Sequence, residues 1–208
     1  MSTGLSVYER ALAGAAGPLT LTGPAGGTIE VDVSAWCRRR MPGDGGLLDR
    51  CDGPTLDVGC GPGRLTAALL RRGVPALGVD ISATAVGMAR RRGALALHRD
   101  VFTDLPGAGR WRCVLLADGN VGIGGDPARL LARCRALAAA DGVVLVELHP
   151  PGVPSWAGRA VLRSADGAAA LRWAVVAADD VAAPAARAGL RVAETWTEAG
   201  RWFATLRR

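Results

Sequence analysis

The stretch that decides the fold is Thr55-Leu56-Asp57-Val58-Gly59-Cys60-Gly61-Pro62-Gly63-Arg64. Leu56 and Val58 predict a short buried strand, and the apolar residues from Leu65 to Leu70 predict a helix after it. The glycines between them allow a tight turn and a close approach of backbone to ligand. This turn lies at a helix N-terminus, where free N–H groups favour an anionic or electron-rich ligand. We therefore expect the turn to hold a nucleotide-like molecule.

The spacing of the glycines separates two kinds of nucleotide site. A dinucleotide fingerprint, G-x-G-x-x-G, needs its third glycine at position 64, where this chain has arginine. The pattern here is D-x-G-x-G-x-G, starting at Asp57. It resembles motif I of the class I methyltransferases that use S-adenosylmethionine (SAM). A nicotinamide dehydrogenase is the distant alternative.

Four further apolar stretches predict strands that end in a polar residue or are directly followed by one. They cover residues 75–80, 94–98, 113–117 and 143–148. Asp80 ends the first of them about twenty residues after Gly59, the separation expected of an acid that binds a ribose diol. Strands alternating with helices predict an α/β fold with a doubly wound, mostly parallel sheet.

The resemblance implies that SAM is the cofactor and that S-adenosylhomocysteine (SAH) is its product. It places Asp57 near the amino-acid part of SAM, and Asp100 at the adenine amino group. The implied cofactor-binding set is Asp57, Gly59, Cys60, Gly61, Gly63, Asp80, Ile81, Asp100, Val101, Ala117 and Asp118. Asp100, Asp118 and Asn120 are also residues typical of turns, which is an open alternative for each of them. For Cys60, a small residue tolerated beside the ligand is favoured over a reactive one.

Methyl transfer needs alignment of the acceptor with the methyl group, and a base when the acceptor is a hydroxyl or a protonated amine. His149 and Asn120 follow predicted strands, at the sheet edge where ligands of such folds bind. His149 is the candidate base, because imidazole titrates near neutral pH, and Asn120 would orient a polar group of the acceptor. A loop histidine that caps the Pro150-Pro151 turn is the equal alternative. Candidate acceptor-binding residues are Tyr8, Trp36, Trp156, Arg159 and Trp173.

The ends of the chain complete the expected architecture. The resemblance implies that the sheet closes with an antiparallel hairpin, here residues 191–196 and 201–206, giving seven strands. Before the first core strand, a helix from Val7 to Ala16 and a β-hairpin of 19–22 with 28–33 are predicted. The expected domains are an N-terminal cap or extension, 1–53, and a SAM-binding methyltransferase domain, 54–208. A packing flap without ligand contact is the alternative for the cap.

Composition limits the partners. A chain of 208 residues fits one compact domain. Its formal net charge is +6 and every basic residue is arginine, several of them near predicted helix ends, where they complement the helix dipole. We therefore expect no nucleic acid partner. No apolar run reaches about 18 residues, so we expect no membrane partner and a cytoplasmic location. The five cysteines show no metal-ligand spacing, which predicts no metal and no disulfide.

The predicted function is methyl transfer from SAM to a small molecule, in secondary metabolism, by a monomer or homodimer. The stretch from Leu116 to Pro127 is similar to small-molecule methyltransferases of actinobacterial type. Alternatives are a SAM-binding enzyme of the same fold that catalyses another reaction such as a cyclisation, an RNA or protein methyltransferase, and a SAM sensor. The N/D-P-P-Y/F signature of enzymes that methylate nucleic acid amino groups is absent at Asp118-Gly119-Asn120-Val121.

Overall fold

The protein is described by a computed structural model that covers residues 3–14 and 19–208. The helices are α1 (Thr3–Leu12), α2 (Val33–Cys37), α3 (Asp44–Asp49), α4 (Arg64–Arg71), α5 (Ala83–Arg91), α6 (Pro127–Leu137) and α7 (Ala182–Arg187), with a 3₁₀ segment at Asn120–Gly125. The strands are β1 (Leu19–Thr22), β2 (Thr28–Val31), β3 (Thr55–Val58), β4 (Ala76–Asp80), β5 (Ala96–His98), β6 (Trp111–Leu116), β7 (Ala138–Leu148), β8 (Trp156–Ser164), β9 (Gly167–Val175), β10 (Arg191–Glu198) and β11 (Arg201–Arg207).

Seven strands form the main sheet, in the order β10-β11-β7-β6-β3-β4-β5. The five strands from β7 to β5 are parallel, and β11 pairs antiparallel with both β7 and β10. This confirms the doubly wound, seven-stranded sheet with an antiparallel hairpin at its end. All four residues of β3 are buried, as expected of a strand covered by helices on both faces.

The bounds of helix α1 and the start of strand β7 differ from the expectation. Helix α1 begins at Thr3 and ends at Leu12, earlier than the predicted Val7 to Ala16, of which residues 15 and 16 lie outside the described residues. Helix α6 ends at Leu137, and β7 starts at once at Ala138 instead of at residue 143. The register of β6 with β7 jumps between the pairs Trp111–Ala138 and Cys113–Val143. The extra residues of β7 form a bulge within the strand.

A second sheet, which we call the cap sheet, has the antiparallel order β2-β1-β8-β9. The sequence predicts the hairpin of β1 and β2, and the structure joins it to the hairpin of β8 and β9 by pairing Leu21 of β1 with Leu162 of β8. Val7 and Ala11 of α1 pack against the apolar side chains of this sheet. The hairpin of the predicted 1–53 extension therefore shares a sheet with residues inserted after β7.

Hydrogen bonds connect α1 and the end of α2 to residues that follow β4 and α5. Glu9 of α1 accepts from the Ser82 hydroxyl at 2.9 Å. The Arg92 guanidinium donates to the carbonyls of Cys37 at 2.6 Å and Arg38 at 3.1 Å. Arg92 lies directly after the end of α5, and its side chain fixes the end of α2. These contacts hold the N-terminal helices over the carboxyl ends of the parallel strands.

Candidate active site

A cavity of about 850 Å³ lies between the carboxyl ends of the main-sheet strands and the cap sheet with α1 and α2. Most of the residues predicted for a site line it. These are Tyr8, Trp36, Asp57, Gly59, Cys60, Gly61, Asp80, Ile81, Asp100, Val101, Ala117, Asp118, Asn120, His149 and Trp173. The parallel sheet brings them together because successive strands end at the same edge.

The glycine loop is held by the next strand and by Asn120. The Gly59 N–H donates to the Val79 carbonyl at 2.8 Å, and Gly59 has a φ of 71°. A side chain at position 59 would meet the Asn120 amide, since an added Cβ would lie 2.7 Å from Nδ2. Asn120 Nδ2 in turn donates to the carbonyls of Val58, at 3.1 Å, and Gly59, at 2.8 Å. The Asn120 amide nitrogen thus fixes the loop, a role that its sequence position did not reveal.

Asp80 joins the loop to the end of β4. One carboxylate oxygen accepts from the Gly61 N–H at 2.9 Å, and the other accepts from the Ser82 N–H at 2.8 Å. Burial raises the pKa of Asp80, partly offset by these two hydrogen bonds. The neighbouring Ile81 is half exposed, and its carbonyl lies 2.9 Å from the His98 Nε2 atom. Asp80 therefore presents its carboxylate at the cavity wall from a fixed position.

Asp57 is a buried acid at the centre of the site. Its Oδ2 atom accepts from the Thr66 hydroxyl at 2.6 Å, and only 2% of the residue is exposed. Burial raises the pKa of Asp57 to about 6, although the Thr66 hydrogen bond acts in the opposite direction. The carboxylate is therefore ionised at pH 7 and carries a large desolvation cost that a bound cation would reduce.

The remaining glycine-loop residues have packing roles. The Cys60 thiol contacts Gly78 of β4, where an added Cβ would lie 2.6 Å from the sulfur. Burial raises the pKa of Cys60 well above its ordinary value, so the thiol stays protonated and is a poor nucleophile. Gly63 does not line the cavity. It packs against Ala89 of α5, whose Cβ would lie 2.6 Å from an added Cβ.

At the predicted adenine end, Asp100 both forms a turn and faces the cavity. Its Oδ1 atom accepts from the Phe102 N–H at 2.9 Å, which is an Asx turn. Val101 is buried beside it, and the Arg129 guanidinium lies over the Phe102 ring at 4.0 Å. The two interpretations of Asp100 are compatible, because an Asx turn needs only one of its carboxylate oxygens.

Five ionised residues form what we call the charge cluster: Asp44, Arg64, Asp118, Glu147 and Arg201. Arg64 donates to both Asp118 oxygens, at 2.7 and 2.6 Å, and forms a short ion pair with Asp44. Arg201 makes two hydrogen bonds to Glu147, at 2.8 and 2.7 Å, and one to Asp44 at 2.9 Å. The Glu147 carboxylate also accepts from the Asp118 N–H at 2.6 Å. Asp118 is thus bound to arginine through its side chain, which the predicted cofactor role did not include.

The sequence contains little that indicates the charge cluster. At position 64 the only signal is an arginine where a dinucleotide fingerprint would have glycine. Arg201 lies 157 residues from its partner Asp44, so no local pattern connects the two. Burial alone would lower the pKa of Arg201, but hydrogen bonds to Glu147 and Asp44 outweigh this and raise it, so the guanidinium stays charged. Burial raises the pKa of Asp118, and the charges of Arg64 and Arg201 oppose this. With all three carboxylates and both guanidinium groups ionised, the cluster has one negative charge in excess.

Two aromatic side chains, Tyr8 of α1 and Trp36 of α2, form one wall of the cavity. The Tyr8 and Trp36 rings meet edge to face with centroids 5.9 Å apart. The Tyr8 oxygen lies over the glycine loop, 3.5 Å from the position of a Cβ added to Gly61. Burial raises the pKa of Tyr8 well above its ordinary value, which keeps the hydroxyl protonated. Two predicted acceptor residues do not reach this wall: Trp156 packs on Gly23, and Arg159 is exposed.

His149 lies where the two sheets meet. Its backbone N–H donates to the Val176 carbonyl at 2.9 Å, and its backbone carbonyl accepts from the Ala178 N–H at 3.0 Å. The imidazole is half-buried at the cavity wall. Burial lowers the pKa of His149, and the charge of Glu147 only partly opposes this. The imidazole is therefore neutral at neutral pH, the form that can accept a proton.

Comparison with known proteins agrees with this geometry. Residues 55–142 match the family described as a methyltransferase domain. A SAM-dependent methyltransferase from Bacteroides fragilis, solved with SAH, has a TM-score of 0.74 at 22% identity over 97% of this chain and 92% of that one. No curated protein matches the sequence.

Two further solved structures share the fold. A 1,6-didemethyltoxoflavin N1-methyltransferase from Burkholderia thailandensis has a TM-score of 0.58 at 18% identity, over 79% of this chain and 76% of that one. A sugar N-methyltransferase from a Streptoalloteichus species has a TM-score of 0.56 at 19% identity, over 78% and 83%.

The fold and the site define a class I, Rossmann-like methyltransferase. The matched domain contains the glycine loop, Asp80 and Asp100, and the chain is a SAM-dependent methyltransferase. The residues present suit SAM as the cofactor. Arg64 lines the cavity, and its Nε is a buried donor that has no acceptor among the described residues. The carboxylate of SAM would supply an acceptor for such a donor, and buried Asp57 would favour its ammonium group.

Proposed function

We propose that this protein transfers the methyl group of SAM to a small-molecule acceptor of secondary metabolism. The observation that carries the proposal is the cavity, which continues from the glycine loop to the inner side of the cap sheet. Residues of the cap sheet and α1 line its acceptor end, which favours an acceptor small enough to enter the cavity. The sugar and didemethyltoxoflavin enzymes that share the fold are named for small acceptors, which agrees with this size.

The chain's own residues would bind SAM along the strand ends. Asp80 would accept hydrogen bonds from the ribose hydroxyls, and Asp100 would accept one from the adenine amino group through its remaining oxygen. When bound, SAM supplies a methyl group on a cationic sulfonium. The acceptor's lone pair forms the new bond to this methyl carbon while the carbon–sulfur bond breaks and its electron pair stays on sulfur. The protein's main contribution is then alignment of the acceptor.

We further propose His149 as the base that removes the acceptor's proton. Its imidazole is neutral and lines the cavity, and its backbone is held by hydrogen bonds of both the N–H and the carbonyl. The protonated Tyr8 hydroxyl over the glycine loop is a donor that would help to position the acceptor or cofactor. Asn120 would act indirectly, by holding the loop.

The proposal also covers the setting in which the enzyme works. We propose a cytoplasmic monomer or homodimer without a nucleic acid partner. Many arginines have protein partners, such as Arg112 with Asp52 and Asp141, and Arg133 with the Val101 carbonyl, which leaves them less available for phosphates. Among the described residues, no helix is long and apolar enough to cross a membrane.

The test is calorimetric titration with SAM, SAH and NAD, followed by detection of SAH during incubation with SAM and a library of small acceptors. We expect micromolar binding of SAM and SAH, no response to NAD, and SAH formation that depends on the acceptor. Acceptor turnover without SAH would instead indicate a non-methylating reaction. Failure to bind SAM and SAH would contradict the whole proposal.

A further inference from the structure

The acceptor end of the cavity has walls of two different kinds. On the cap side the lining is mostly apolar, with Glu30, Asp32 and Arg172 as its charged members; the large apolar side chains are Leu19, Leu21, Trp36, Leu162, Leu171 and Trp173. On the main-sheet side the lining is charged, with Glu147 of the charge cluster and neutral His149. Side chains two apart at the end of a strand project to the same side, so Glu147 and His149 face the cavity together. A ligand that fills this end must be apolar over most of its surface and polar at one point.

The charges around Glu147 and His149 favour a cationic group on the acceptor. The terminal nitrogens of Arg64 and Arg201 are bound to Asp44, Asp118 and Glu147. The cluster retains one negative charge in excess. The terminal nitrogens of these two arginines are therefore already paired with carboxylates, and an anionic acceptor would lie beside Glu147, which is unfavourable in a poorly solvated site.

The other arginines of the cavity wall have partners elsewhere. Arg129 lies over the Phe102 ring at 4.0 Å, at the predicted adenine end. Arg172 donates to the Gly124 carbonyl at 3.3 Å, and Arg99 donates to the His98 carbonyl at 3.4 Å. None of these three contacts places a guanidinium beside Glu147 or His149.

From these observations we propose that the acceptor is an apolar amine, with its hydrocarbon or ring body beneath the cap sheet and its ammonium group at Glu147 and His149. This rests on the proposed function and specifies its substrate class. The protonated amine binds to the carboxylate and gives one proton to the neutral His149 imidazole. The freed nitrogen lone pair takes the methyl group, the sulfur keeps the electrons of the broken bond, and His149 returns its proton to water.

The inference is tested by binding, with three probes of the same shape. SAH-loaded protein is titrated at pH 7.5 with 1-naphthylmethylamine, 1-naphthylmethanol and 1-naphthoic acid. We expect the amine to bind at least about tenfold more tightly than the alcohol, because a charge-assisted hydrogen bond replaces a neutral one. We expect no binding of the acid.

The Glu147→Gln variant is then compared with Glu194→Gln, which removes an exposed carboxylate from β10 that pairs with Arg50. We expect the amine-to-alcohol affinity ratio to fall below about three in Glu147→Gln and to stay unchanged in Glu194→Gln. The alcohol serves as the internal control, since a merely distorted cavity would weaken both probes together.

The results of these titrations distinguish failure of the amine proposal from failure of the methyltransferase proposal. Equal binding of amine and alcohol to the wild-type protein would overturn the amine assignment. Binding of SAH without binding of any naphthyl probe would overturn the apolar acceptor site and leave the methyltransferase proposal standing. A protein that does not bind SAH would remove the basis of both.

Discussion

Arg201 and Glu147 form a bidentate ion pair, with nitrogen–oxygen distances of 2.8 and 2.7 Å, across the edge where the final hairpin joins the parallel strands. Both side chains are largely buried, at 13% and 14% exposure. The pair connects the start of β11 to the end of β7 beside His149. The last strand of the fold thus supplies a charge to the wall of the cavity.

Replacement of Arg201 is expected to destabilise the protein strongly. Arg201→Ala leaves Glu147 buried without its partner, which typically costs about 3–5 kcal/mol. Arg201→Lys should cost less, because lysine keeps the charge but cannot form the bidentate contact. The measurement is urea unfolding of both variants and of Arg112→Ala, whose partners are exposed and whose loss should change the stability little. Similar losses in Arg201→Ala and Arg112→Ala would contradict the buried role.

Asp57→Asn is expected to stabilise the unliganded protein at high pH. The pKa of Asp57 is about 6 when folded and 3.8 ordinarily, so the folded state binds the proton more tightly. The cost of burying the charge therefore increases as the pH rises from about 4 to 6 and is complete above that. From the shift, the free energy of unfolding should increase by up to roughly 3 kcal/mol at pH 8 and about half as much at pH 5.

Urea unfolding at the two pH values measures this effect of Asp57→Asn, and Asp104→Asn, at an exposed site, is the control. The control should change little at either pH. A stabilisation of Asp57→Asn that does not depend on pH would show that charge burial is not its cause.

Asp80→Asn is expected to weaken binding of both SAM and SAH. The amide has one oxygen, so it cannot accept from both Gly61 and Ser82, and it loses the charge that binds ribose hydroxyls. We expect a loss of about 1–3 kcal/mol in binding free energy, measured by calorimetry. Asp166→Asn, in the exposed turn between β8 and β9, should bind both ligands normally. Unchanged affinity in Asp80→Asn would exclude the ribose assignment.

His149→Gln is expected to lower kcat by roughly 10²–10⁴ while SAH affinity is retained. In the wild-type enzyme the rate should fall with decreasing pH as His149 gains a proton. Because burial lowers the pKa of His149, this fall should occur below pH 6.5, its ordinary value. The measurement is the pH–rate profile, followed through SAH release with any productive acceptor. The decrease in rate at low pH should be absent in His149→Gln and present in His98→Gln. The same decrease in the wild-type enzyme and in both variants would show that another residue is the base.

The arrangement of the parallel strands could be predicted because its causes are local. Leu56 and Val58 are apolar and adjacent to glycines whose positive φ values the loop requires, such as 71° at Gly59. Asp80 and Asp100 follow strands whose ends must meet at one edge of a parallel sheet. Their positions on the cavity wall follow from the strand order alone. The same local reasoning misplaced the start of β7, since a bulge depends on what the partner strand Trp111–Leu116 presents.

Other parts of the site depend on contacts between distant segments. No local pattern indicates that Leu21 pairs with Leu162, and the cap sheet follows from that pairing. Trp156 and Arg159 are predicted to bind the acceptor, and the structure places both on β8, where side chains alternate between the faces of the sheet. The packing of Trp156 on Gly23 and the exposure of Arg159 were therefore decided by register, which the sequence did not fix.

By itself the sequence determined the class of fold, the glycine loop and the acids that follow the strands, because each depends on hydrophobic periodicity and backbone freedom within a few residues. Only the tertiary structure decided that Arg64 and Arg201 neutralise most of the charge of Asp44, Asp118 and Glu147, and that a two-part cap sheet roofs the cavity. Ion pairing and burial depend on distances between segments up to 157 residues apart, and those distances exist only in the folded chain.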